Sequence, residues 1–177
     1  MSQASTFALM AGYNQWMNEN VYAAAAKLSA NELAQDRGAF FGSVLGTLNH
    51  IYVGDTLWLK RFCGHPDAPK ALDPIRVEAL PASLDAIPFT EFAQLKAARE
   101  ARDDLIIDFV RTLPTRSYEI PLEYSDTKGI PMKKPLGFLL QHFFNHQTHH
   151  RGQVTTLLSQ QGIDPGVTDL LAQIDNV

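Results

Sequence analysis

The stretch "PLGFLLQHFFNHQTHHRGQVTTLLSQQG", residues 135–162, decides the fold of this chain. At 3.6 residues per turn, Leu136, Leu140, Phe143, Gln147, Val154, Leu157 and Leu158 fall on one stripe, so the segment reads as a long helix with one buried face. Pro135 suits its first turn and Gly162 supplies its stop. His146, His149 and His150 lie within five positions and make half of the six histidines in the chain. His150 falls inside the stripe and His146 at its edge one turn earlier, whereas His142 and His149 rotate toward solvent. An inward pair at i and i+4 lets two imidazoles grip one metal ion, but an ordinary polar seam on a helix has the same spacing.

Three further stretches carry the helical period. The first runs from about Ser5 to Leu28, with Phe7, Met10, Met17, Val21 and Leu28 on one face; "SANE" follows, a capping box that opens an extra turn at Ser29. A second spans Phe41 to Phe62, with Val44, Leu45, Leu48, Ile51, Tyr52, Leu59 and Phe62 inward. The third runs from near Thr90 to Leu113, before Pro114, and turns Phe92, Leu95, Ile106, Phe109, Val110 and Leu113 inward. Between Gly64 and Pro88 five prolines exclude a continuous helix, which predicts a long surface crossover and parallel second and third helices. "YEIPLEY" and "GIPMKK" flank the polar turn "SDTK" and predict a small hairpin of edge strands. The expectation is an all-α protein: a four-helix bundle with a long crossover after its second helix and a β-hairpin before its fourth, forming one domain over residues 1–177.

Composition narrows the function. A formal charge of −4 without a basic block argues against nucleic acid. No run of eighteen apolar residues and no signal peptide is visible, so no membrane partner is expected. The single cysteine, Cys63, excludes an internal disulfide and a thiolate zinc knuckle, and fits a reducing, cytoplasmic compartment. Cys63 itself reads as a packing residue. HExxH, GxGxxG after a strand, GxxxxGK[ST] and a calcium loop are all missing.

A third metal ligand would have to come from another helix. His50 is the only other histidine within a long helix, since His65 sits beside Pro66 in the crossover. His50 lies off the main stripe of the second helix, on a narrower face with Gly46, Val53, Gly54 and Leu57, where the glycines admit a close neighbour. Three neutral imidazoles from two helices leave coordination positions for water or substrate, as in catalytic sites. Supporting candidates are Asn14, which needs either an interhelical partner or a substrate contact, and Asp55, which needs an arginine or a histidine nitrogen. Asn145 points away from the core. Tyr13 and Trp16 form either a pocket wall or a packing or dimer seam, and Arg151 either an anion contact or a solvated salt bridge.

The strings "YNQWMNENVY", "GTLNHIYVGDTLWLKRF" and "NHQTHHRGQV" together resemble the DinB/YfiT-like family of metal-binding four-helix bundles, in the family's order and over nearly the whole chain. The resemblance implies a divalent metal on His50, His146 and His150, completed by water, and a homodimer. Zinc and nickel both suit imidazole ligands. Such an ion acidifies a bound water or thiol. The family includes thiol-dependent S-transferases and maleylpyruvate isomerases. The expected function is therefore a metal-dependent thiol S-transferase acting on a small molecule, with a low-molecular-weight thiol as co-substrate. The alternatives are a non-catalytic metal-binding or structural dimer and a metal-dependent hydrolase.

Overall fold

In the computed structural model, which describes residues 2–176, helix α1 spans Gln3–Ala25 and opens at Ser2, whose hydroxyl accepts the Ser5 amide. The Ser29–Glu32 capping box then starts the short helix α2, Ala30–Ala34, as the sequence predicts. Helix α3 covers Val44–Phe62 and begins three residues later than expected. Gly42 adopts φ 72°, which no helix can continue through, and the Ser43 hydroxyl accepts the Gly46 amide at 2.9 Å. Phe41, expected as the first helical residue, is thereby freed for another use.

The proline-rich crossover is more than a strand over the surface. It holds a 3₁₀ turn at Lys70–Leu72 and a helix α4 at Asp73–Val77, with Pro74 in the first turn. Leu72 and Ile75, three residues apart, are driven fully into the core, so this segment docks. Helix α5 follows at Phe92–Thr112. Strands β1 (Pro121–Ser125) and β2 (Pro131–Pro135) pair antiparallel, Tyr124 opposite Met132. Helix α6, Leu136–Ser159, starts at Pro135 and ends at Gly162, whose φ of 73° turns the chain away.

Side-chain pairs give the directions of the four long helices. Phe7 against Phe144 and Asn14 against Arg151 set α1 parallel to α6; Asp55 on Arg99 and Phe62 on Phe109 set α3 parallel to α5. Tyr22 on Phe92 and Asn14 on Asp103 oppose α1 to α5, and His50 on His150 with Trp58 on His142 oppose α3 to α6. The crossover therefore returns the chain to the end from which α3 started. The molecule is mostly helical, with one small two-stranded sheet among the described residues.

Two apolar clusters fill the interior. One gathers Phe62, Phe109, Phe143 and Phe144, the other Val21, Leu48, Leu95 and Leu158. Along every long helix a polar layer separates them: Asn14, Asn18, Asp55, Arg99, Asp103, Gln147 and Arg151, all buried. Arg99 pairs with Asp55 and reaches Asp103 at 3.0 Å, while Asn14 and Asn18 donate to Asp103 at 3.1 and 2.9 Å. Burial raises the Asp103 carboxyl to about 6. Removing the cation leaves two carboxylates stranded, so Arg99→Ala is expected to destabilise the fold by about 3–5 kcal/mol. Urea unfolding measures this, and a loss below about 1 kcal/mol would show that the layer is not held by its charges.

Candidate metal centre

Two glycines let the three histidines meet. A Cβ on Gly54 would lie 2.6 Å from the Cε1 of His146, so only a bare backbone admits that ring between α3 and α6. Gly46 does the same for the loop before α3, since a Cβ there would come within 2.1 Å of the Phe41 carbonyl oxygen. With that carbonyl held close, the Phe41 ring lies flat on His50 at 3.7 Å between centroids and meets His150 edge-on at 5.5 Å.

The Nε2 of His50 is 3.2 Å from the Nε2 of His146 and 3.2 Å from that of His150, and one donor atom from each ring lies within 4.8 Å of the other two. Two nitrogens bound at about 2.1 Å from one ion stand about 3.4 Å apart at a tetrahedral angle and about 3.0 Å at a right angle. The observed spacing falls between these, so the donor set fits a divalent ion on three facing imidazoles.

The outer nitrogens fix the tautomers. His50 Nδ1 lies 2.7 Å from the carbonyl oxygen of Leu84, and His150 Nδ1 lies 2.8 Å from the Gln153 side-chain oxygen. Each acceptor requires the proton on Nδ1, so both rings turn an unprotonated Nε2 toward the same point. Two lone pairs at 3.2 Å repel each other unless a cation lies between them. All three rings are kept neutral: burial lowers the pKa of His50 and of His150, and burial together with the neighbouring histidines pushes His146 down to about 3.

The remaining candidates lie elsewhere. Asn14 takes the interhelical option, donating to Asp103 and accepting from Arg151. Asp55 pairs with Arg99 and bonds to no histidine nitrogen. Arg151 is buried among Asn14, Asn18 and Gln147, which replaces the expected solvated salt bridge. Tyr13 is buried and donates to the Thr168 carbonyl at 2.6 Å, and Trp16 packs beside it. Asn145, His142 and His149 are exposed. Cys63 is half-buried, and burial raises its thiol pKa, which suits packing. A cleft of about 840 Å³ beside Met10, Phe138 and Asn145 contains none of the three rings, so donor geometry and not this cleft marks the site. Sequence reasoning missed Leu84 and Phe41, whose roles rest on a backbone carbonyl and a loop; Gln153 was within reach, three residues after His150 on its helix.

Two outcomes are expected. Gly54→Ala should keep the helical far-UV signal while displacing the His146 ring, lowering affinity for zinc at least tenfold by competition with a chromogenic chelator. The metal-free protein should lose stability as pH falls from about 6.5 toward 3, because the unfolded chain takes up a proton that folded His146 refuses. His146→Gln should flatten that part of the stability profile, and an unchanged slope would contradict the assignment.

Protein DinB of Bacillus subtilis (strain 168) is 28% identical over 167 residues, 89% of this chain and 87% of that protein. The match to the DinB family runs over residues 1–176, through all six helices and the hairpin, and the chain belongs to that family.

Proposed function

We propose that this chain is a single-domain four-helix bundle of the DinB/YfiT-like kind that holds zinc or nickel on His50, His146 and His150 and transfers a low-molecular-weight thiol to a small electrophile. The observation that carries the reading is the convergence of three imidazole nitrogens, the Nε2 of His50 lying 3.2 Å from that of His146 and 3.2 Å from that of His150. A divalent ion there would acidify a thiol near neutral pH and leave it nucleophilic. Leu84 and Gln153 hold two rings in the ligating tautomer and increase their basicity. Neutral imidazoles need shed no proton before coordination. The Phe41 ring shields one face of His50 from water.

Water hydrolysis by the same ion is a further alternative; the chain has no HExxH glutamate to serve as general base. A homodimer in a reducing, cytoplasmic setting completes the proposal; Cys63 is free, and among the described residues no helix is long and apolar enough to cross a membrane. A second reading, a metal-binding dimer without turnover, draws support from Phe41, which covers part of the triad.

The protein purified without histidine tag or chelator should carry about one divalent ion per chain by elemental mass spectrometry, and His150→Ala should lose it. A parent that stays empty after reconstitution with zinc and nickel overturns the metal reading. Cobalt-loaded protein that shows no charge-transfer band with 2-mercaptoethanol supports the non-catalytic reading, and ester cleavage without added thiol supports a hydrolase.

A further inference from the structure

Arg61 is the only arginine whose guanidinium has no hydrogen-bond acceptor among the described residues. The others reach carboxylates, amides or carbonyls: Arg99 and Arg102 bind Asp55 and Glu78, Arg76, Arg111 and Arg116 bind Asp73, Asp108 and Asp67, and Arg37 and Arg151 bind glutamine and asparagine oxygens. Arg61 is half-buried, and its guanidinium carbon lies 4.6 Å from the ring centre of Trp58 and 5.0 Å from that of Tyr124. Two aromatic faces orient the planar group without consuming its N–H donors. The charge of Asp126 acts on it, but the Asp126 Oδ1 already accepts the amides of Lys128 and Ile130 at 2.8 and 2.9 Å.

The position of Arg61 gives this idle group a use. His50, Gly54, Leu57 and Arg61 are spaced four, three and four residues apart, so they share one face of α3. On the opposing helix His142 stands one turn from His146, their ring centres 6.3 Å apart, and His142 meets Trp58 at 5.0 Å. A continuous line of rings therefore runs from the three imidazoles to the Arg61 guanidinium. Gly54 and Arg61 are seven positions apart, roughly 10 Å along the helix. Lys134 adds positive potential over His142.

We infer that this α3–α6 seam is the substrate subsite, in which Arg61 takes a carboxylate of a small molecule whose donor atom faces the three imidazoles. The inference rests on the metal reading of the triad and names the class of ligand it serves. One forked guanidinium between aromatic walls matches a planar carboxylate.

Two thiols of equal length test this on cobalt-loaded protein: 8-mercaptooctanoate and 8-mercaptooctan-1-ol, followed by the thiolate-to-cobalt absorption band. The acid should bind about tenfold more tightly than the alcohol. Arg61→Gln should remove that preference while leaving the alcohol's affinity and the cobalt spectrum unchanged, and Arg61→Lys should restore part of it. Equal binding of the two probes by the parent, or a preference that survives in Arg61→Gln, overturns the subsite. No band with either probe or with 2-mercaptoethanol is a different failure: it removes the thiol reading of the triad and the subsite with it.

Discussion

Helices α3 and α6 can meet as they do because position 54 carries no side chain. A methyl group there would occupy the space of the His146 ring, and in a close-packed interior neither helix can yield far enough to admit both. Glycine inside a helix is unfavourable by about 1 kcal/mol relative to alanine, so the close approach is maintained against local propensity. The packing around it makes up the difference: Leu48, Ile51 and Leu59 on α3, with Leu140, Phe143 and Leu158 on α6, are almost wholly removed from water. Once the backbones are this close, His50 needs no reach to face His146 and His150.

The polar layer between the two apolar clusters fixes how the helices slide against one another. An apolar interface tolerates small shifts in register, whereas Asp55, Arg99, Asp103, Asn14 and Arg151 must meet atom to atom because none of them can turn to water. The layer lies one turn beyond His50 on α3 and at His150 on α6. A slip of one residue would strand a charge and rotate the imidazoles apart together. Burial of ions is poor as a source of net stability, and here its effect is to select one alignment of the helices.

Much of this was legible in the residues. All seven members of the α6 stripe are buried, the Ser29 box caps a helix, and His50, His146 and His150 lie together although His50 is off the main stripe of its helix. Gly54 could be read as a place of close approach because small residues beside a histidine have few other uses within a helix. What was hidden was hidden for physical reasons. The carbonyl of Leu84 belongs to every residue alike and carries no signature. Arg151 looked like a surface cation because the amides that enclose it come from a helix more than a hundred residues away. Arg99 and Asp103 continue the inward phase set by Leu95 and Ile106, a charged stretch of a buried stripe that hydrophobic periodicity overlooks. Gly42 and the capping Ser43 gave the local warning that α3 would not begin at Phe41.

The crossover enters the centre through the chain's own covalent order. Its Leu84 carbonyl sets the proton on His50, and five residues later Phe89 exchanges two hydrogen bonds of 3.0 Å with Asn49, the residue before His50. Loops of this length are the segments that evolution and engineers trim or replace most freely. This one is restricted. A graft that merely spans the distance from α3 to α5 would preserve the helices and their core, yet leave the His50 imidazole free to exchange tautomers, presenting an N–H where a lone pair is required. The tolerance of the family to insertion and deletion should therefore be narrow from Leu84 to Phe89, where the connection touches His50 and Asn49.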